Sequence, residues 1–600
     1  MVMYKTIPAR NEIPKEKQWN ISDIFACKAD WETARKELLS ALEQTKAYQG
    51  KLHDPAILLD CLTLSDEIDI KLGKAFAYAR LQQDTDTAHT EYQEMVSSLL
   101  PVLDDASAAA AFIEPELLSL PEKELQSMPD ALPGLKKYAF TFEKLQHKRK
   151  HILSAEQEAF LASTGEIRQA AQNTYTTMTN ADLKFPDTLS ESGTLEPLSE
   201  SRYPKFSRSR NRNVREDAFH KLFSSYLSFR NTFASLYSSS VKSSQFISKA
   251  RNYASMQEAA LDANNIPTSV YDITIETTHA HLDLLQRYMN LKKRLLELDE
   301  LHMYDLYVSV VPKLQKTFPY EEGLQLIRAA LAPLGENYLH DMFQGIGHGW
   351  IDPCENKGKR SGAYSWGVYG VHPFILTSYN EQYDAVSTVA HELGHSMHSF
   401  YSMQKQEFVN SDYTIFCAEV ASITNENLLL EYMLKNASTK EERLYFINQY
   451  LEQIRTTVYR QVLFAEFEKA THQMVEEGSV LTADALEKLW LTLNRQYYGS
   501  DIVLDDELKA EWSRIPHFYR PFYVYQYATG YAAAMTLSQR LLTQGETARK
   551  AYLDYLASGG SDYSIRLLQK AGVDMTTNLP LTVTFQKFAA CLDELEALTK

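Results

Sequence analysis

The chain has 600 residues, of which 44% are hydrophobic and 23% charged, with 22 glycines and 20 prolines; this is the composition of an ordinary globular protein and excludes a disordered or fibrous one. A formal charge of −17 excludes broad nucleic-acid binding, which needs Lys and Arg concentrated opposite phosphates. The five cysteines are scattered and form no Cys-x-x-Cys pair, which argues against a disulfide scaffold or a thiolate metal site and fits a reducing compartment.

Such a length exceeds what one compact core organises, so several subdomains are expected. Residues 1–12 hold no apolar run that would serve as a secretory signal, and no later segment approaches the roughly 18 apolar residues of a membrane span, so a cytoplasmic protein with no membrane partner is expected. Asp30 is placed to cap a helix bearing Trp31, Ala34, Leu38 and Leu42 on one face, with Gly50 to end it. Leu58, Leu62, Ile68 and Leu72 continue the helical pattern, as do residues 106–113 and 153–175, so the first 180 or so residues read as a helical layer. Residues 179–213 break it with Pro186, Gly193, Pro197 and Pro204 and read as loop or hairpin, which puts a boundary near residue 200. Arg208, Arg210, Arg212 and Arg215 read as a solvated helix start. Helices resume over 214–331, with Leu222, Tyr226, Phe229 and Phe233 on one stripe and Leu282, Leu285, Tyr288, Leu291 and Leu295 on another.

Residues 350–364 are rich in turn formers, and residues 367–377 favour a strand that Pro373 makes an edge or bulged one, where an extended peptide can pair by its backbone. The next stretch, 383–400, contains His391-Glu392-Leu393-Gly394-His395. On a helix, residues i and i+4 stand one above the other, so two imidazoles aim at one metal ion, and Glu392, about 100° further round, reaches a water at that metal. Val386, Val389, Ala390, Leu393, Met397 and Phe400 recur on the opposite face. A chance His-Glu-x-x-His in 600 residues has a probability of roughly 3 per cent, so a third ligand decides the matter. Glu419 in the following helical stretch is the leading candidate, since two histidines and one carboxylate leave the open position of a catalytic zinc. Glu426 lies on the same face as Glu419, placed to orient a ligand imidazole; Asp384, at the start of the histidine helix, is taken for the same duty. The three-histidine arrangement needs Gly at position 398 and His at 401, where this chain has His398 and Tyr401. Downstream, residues 517–531 are dense in tyrosine, and phenols suit the oxyanion formed when a carbonyl is attacked.

Four motifs together resemble the oligoendopeptidase F group of the thimet oligopeptidase (M3) family of zinc metallopeptidases: residues 391–398, Ala418-Glu419-Val420-Ala421-Ser422, Lys359-Arg360-Ser361-Gly362-Ala363-Tyr364, and residues 522–530. The opening Trp19-Asn20-Ile21-Ser22-Asp23-Ile24-Phe25 resembles these proteins too. The resemblance implies a mainly α fold: a large helical, two-lobed assembly with a deep central channel and a little β-structure at the cleft. It implies an N-terminal lobe over residues 1–200 and a catalytic region over 201–600. It implies one zinc ion per chain, held by His391, His395 and Glu419, with Glu392 as general base. His517, Tyr523 and Tyr527 would line the oxyanion side; Gly362, Ala363, Tyr364, Tyr525 and Tyr531 would contact substrate, with residues 358–369 free to move through their glycines. The activity implied is hydrolysis of internal bonds in short unfolded peptides, which are the partners expected, with no nucleic acid or membrane and the oligomeric state left open.

Overall fold

The computed structural model describes residues 7–311, 314 and 316–600, so the first six residues of the N-terminal stretch lie outside it. The fold is mainly α, with short strands only. The chain divides into two compact units, each assembled from three separate segments: Met1–Lys150, Lys316–Tyr432 and Leu537–Val573 in the first, and His151–Gln315, Met433–Thr536 and Asp574–Lys600 in the second. Residue 200 therefore falls inside a segment of the second unit.

In the first unit the helices Lys28–Thr45, Pro55–Thr85 and Thr90–Ala110 pack on one another. Asp54 caps the longest, its carboxylate accepting from the N–H groups of Ala56 and Ile57, with Pro55 at the first helical position where no N–H is needed. Asp30 lies within the first turn of its helix; Cys27 occupies the cap position. Trp31, Leu38, Leu72, Leu81 and Leu99 form a core that also takes in Phe374 and Leu376. These two belong to a three-stranded sheet in which Pro373–Leu376 runs parallel to Ile351–Asp352 on one side and antiparallel to Tyr364–Gly367 on the other. The proline strand is thus central, not an edge. Pro373 is tolerated because it stands first in the strand, where its missing N–H breaks no interior rung. The edge facing away from Pro373–Leu376 belongs to Tyr364–Gly367. Among the described residues one stretch, Thr90–Ser119, does reach the length and apolarity of a spanning helix; it is broken at Ala111 and Phe112 and carries Asp104 and Asp105.

The second unit holds Arg212–Leu227, Arg230–Ala250, Thr268–His279, Arg460–Glu476 and Ala483–Tyr498 among its helices, around an aromatic core of Tyr237, Phe467, Trp490, Trp512 and Phe518. Residues 179–213 do contain a hairpin, Thr188–Leu189 against Leu195–Glu196. The arginine run is not all solvated: Arg215 is buried and donates to Asp305 at 2.6 Å, which Arg212 also engages at 3.1 Å, so these cations pin the helix start to the Met303–Asp305 turn.

Candidate active site

His391, Glu392 and His395 lie on the helix Tyr383–Lys405, and Glu419 and Glu426 on the helix Ile415–Lys435, all in the first unit. The two helices touch at Gly394. A Cβ built there would stand 2.5 Å from Ser422 Cα and 2.7 Å from the Ala421 carbonyl oxygen, so no larger residue permits this approach. Asn425 bolts the crossing by donating to the Ala390 carbonyl at 3.1 Å, and Ser422 Oγ braces Glu419 by donating to its carbonyl oxygen at 2.9 Å and reaching its carboxylate at 3.3 Å. Sequence reasoning passed over Gly394 and Asn425, because what they do depends on a helix more than twenty residues away.

The crossing brings three donor atoms together. His391 Nε2 lies 3.1 Å from His395 Nε2 and 3.4 Å from Glu419 Oε2, and His395 Nε2 lies 3.7 Å from Glu419 Oε2. Tetrahedral zinc with bonds of about 2.0–2.2 Å spaces its ligand atoms ~3.3–3.6 Å apart, so the donor set fits such an ion after shifts of a few tenths of an ångström. Among the described residues this is the group of His, Cys, Asp or Glu side chains gathered closely enough to hold one.

Each imidazole is fixed from behind. His391 Nδ1 donates to Glu426 Oε1, and the His395 ring hydrogen-bonds the backbone of Ala418, which leaves both Nε2 atoms for a metal. Asp384, expected to share this duty, is exposed on the first turn of its helix, two turns from His391, and it is the Ala418 carbonyl that serves His395. His398 is buried and stacked on Tyr413 at 3.7 Å, a packing role.

The electrostatics follow from burial among carboxylates. Burial opposes protonation of His391, but the hydrogen bond to Glu426 and the charges of Glu426, Glu392 and Glu419 outweigh it and raise its pKa to about 9. Burial and then the His391 charge lower His395 to about 3. Burial pushes Glu392 up to about 7, assisted by Glu419 and Glu426 and opposed by His391 and by the backbone N–H of Ser365. A buried carboxylate poised near neutrality suits proton transfer in both directions.

Ser365 lies on the edge strand, and its hydroxyl pairs with Ser396 of the histidine helix at 2.8 Å. Gly362 (φ 90°), Ala363 and Tyr364 lead into that strand; Ala363 and Tyr364 line a cavity of about 240 Å³ with Arg360, Ser361, Ser365 and Trp366. The approach to this strand is anchored to its surroundings at Lys359, Arg360 and Tyr364. Buried Lys359 donates to the carbonyls of Asp352, Cys354 and Thr377 and to the Asp352 carboxylate, all within 2.6–2.9 Å. Arg360 N–H donates to the Asp84 carbonyl, and the Tyr364 hydroxyl to the Asp84 carboxylate at 2.8 Å.

The tyrosine stretch belongs to the second unit. His517 Nε2 and the Tyr527 hydroxyl are hydrogen-bonded at 3.2 Å, the rings of Tyr523 and Tyr527 meet edge-on at 5.7 Å, and burial together with Arg520 lowers the His517 pKa. Tyr523 and Tyr527 are partly exposed, whereas Tyr525 and Tyr531, expected at the substrate, are buried. Tyr525 lies about 200° round the helix from Tyr527 and packs on Tyr271 at 5.0 Å, while the Tyr531 hydroxyl is 3.5 Å from Gln453 Oε1.

Two family models match the sequence: Peptidase family M3 over residues 206–586 and Oligopeptidase F over residues 116–185. Oligopeptidase PepF of Bacillus subtilis is 40% identical over 593 residues, covering 99% of this chain and 88% of the relative. A solved structure from Chlamydophila abortus aligns with a TM-score of 0.92 at 34% identity, covering 99% of this chain and all of the other. Oligoendopeptidase-F from Enterococcus faecium aligns with a TM-score of 0.75 at 36% identity, covering 95% and 99%.

Proposed function

Because this chain belongs to peptidase family M3, and is therefore a metallopeptidase that hydrolyses peptides, we propose that it is a zinc-dependent oligoendopeptidase cutting internal bonds of short unfolded peptides. The observation that carries the zinc assignment is the 3.1, 3.4 and 3.7 Å triangle of His391, His395 and Glu419 donor atoms. When bound there, zinc supplies a Lewis acid that acidifies water and polarises a carbonyl.

The chain's own residues do the rest. Glu392, on the same helix and near neutral pKa, takes the proton of the attacking water and returns it to the leaving amine. Glu426 and the Ala418 carbonyl hold the two imidazoles in the tautomer that keeps Nε2 free. The open edge of Tyr364–Gly367 offers backbone groups to an extended substrate, with Gly362, Ala363 and Tyr364 at its entrance. His517, Tyr523 and Tyr527 are assigned the oxyanion, on the chemistry of phenols grouped around one imidazole.

The test is a ladder of peptides blocked at both ends, and one folded protein, incubated with the purified enzyme with and without chelator. Cutting of the short blocked peptides, lost on chelation and regained with zinc, supports the assignment, and digestion of the folded protein sinks the restriction to short chains. Glu392→Gln that retains zinc should lose about 10²–10⁴ in kcat.

A further inference from the structure

Phe522 precedes Tyr523 and has φ 54°, in the left-handed region that strains a residue with a Cβ. It stands between the short helical turn Pro516–Tyr519, which carries His517, and the helix Tyr525–Thr543, which carries Tyr527. The reversal at Phe522 folds these two elements back on each other, and the His517–Tyr527 hydrogen bond closes across it.

What holds the reversal is a side chain from elsewhere in the same unit. Glu468, on the helix Arg460–Glu476, is fully buried, and its Oε1 accepts the Phe522 N–H at 2.8 Å. The Tyr271 hydroxyl lies 3.4 Å from its Oε2 while donating to the Ala465 carbonyl at 2.7 Å. The Glu468 carbonyl accepts from Thr471 Oγ1 at 2.9 Å and from His472 Nδ1 at 2.8 Å, so the His472 ring is fixed as well. Phe522 packs between that ring, at 4.7 Å, and Tyr271, at 5.5 Å. A buried carboxyl with no cation beside it among the described residues is a costly way to satisfy one backbone N–H. An apolar side chain would fill the space but leave the N–H of Phe522 unbonded in a dry interior.

The geometry points to Glu468 as a positioning residue, which through the Phe522 N–H holds the strained turn that aims Tyr523 and Tyr527. This rests on the reading that those phenols serve the reaction. Burial pushes Glu468 up to about 8, so it is largely a neutral acid near pH 7 and glutamine reproduces both its acceptor and its hydrogen-bonding hydrogen.

The experiment measures kcat and KM on a blocked peptide, zinc content and Tm for Glu468→Gln, Glu468→Leu, Tyr523→Phe and Tyr527→Phe. Because the phenols act on charge that develops only during reaction, Glu468→Leu should lose at least about tenfold in kcat with KM within about twofold and one zinc retained. Glu468→Gln should stay within about threefold of wild type, a rescue that mere core packing does not predict, since leucine is the better core residue. Should Glu468→Leu not fold, Glu468→Asp, which draws the carboxyl back by one methylene, takes its place with the same expectation. Wild-type kcat in the folded Leu or Asp variant, beside an impaired tyrosine variant, overturns the role of Glu468 alone. Wild-type kcat in both tyrosine variants overturns the reading beneath it, and this inference with it.

Discussion

His391 bonds to two partners at once: Nδ1 is committed to Glu426, and Nε2 faces the other proposed metal ligands. Its raised pKa means that in the metal-free protein Nε2 is protonated at neutral pH, and zinc must displace that proton. The sign is then fixed: raising the pH removes the competitor, so apparent zinc affinity should climb about tenfold per unit from pH 7.5 to about 9 and level off above. Metal-buffered titrations across pH 7–10 would show this slope; a flat profile would contradict it. Glu426→Gln weakens the acceptor behind His391 and should lower zinc affinity by about 10–100-fold above pH 9, where the proton no longer competes, with a smaller difference near pH 7, read in the same titrations. The alignment of His391, Glu392 and His395 is legible in sequence because it is set within two helical turns. The absence of Asp384 from the site is not, because any carboxylate two turns away looks equally eligible until the partner helix is placed.

The crossing of Tyr383–Lys405 with Ile415–Lys435 is where sequence falls short at the level of elements. Glu419 is recognisable as a candidate carboxylate, yet its distance to the histidines depends on how closely the helices approach, and that is set by Gly394 against Ser422. Gly394→Ala should force the backbones apart. We expect about 1–3 kcal/mol of lost stability and a larger proportional loss of zinc affinity than of Tm, checked by calorimetry of the metal-free and zinc-loaded forms. The strand at Pro373 shows the converse limit: proline argues against a central strand on average, but a position at the first residue escapes the rule, and only the pairing reveals it. Likewise Tyr523, ahead of the helix Tyr525–Thr543, meets Tyr527 edge-on at 5.7 Å, while Tyr525 packs on Tyr271; a run of tyrosines does not say which are wet.

For the molecule as a whole, the family match changes between residues 185 and 206, close to the break seen in the sequence, but the compact units do not follow it. The unit that carries the proposed metal ligands includes Met1–Lys150, whose Asp84 and Thr85 hold the segment leading to the edge strand. A fragment of residues 201–600 contains every proposed metal ligand and should still fail to bind zinc stoichiometrically, because it lacks those anchors and the core that Phe374 and Leu376 pack into. Circular dichroism and zinc analysis of that fragment test this, and a folded fragment binding one zinc would refute it. Helical content and the two short histidine and glutamate motifs are local properties and readable; the return of the chain to a unit it left more than a hundred residues earlier is not, since nothing local encodes it.

That return has a consequence for synthesis. The first unit receives its last segment, Leu537–Val573, roughly 420 residues after Lys150 has been made. At about 5–20 residues per second the early helices wait some 20–80 seconds for their final partners. During that interval the half-built core around Trp31 and Leu72 faces solvent without Phe374 and Leu376 for much of the time. The yield of folded protein in cells should therefore depend on elongation rate as much as on the stability of the finished enzyme.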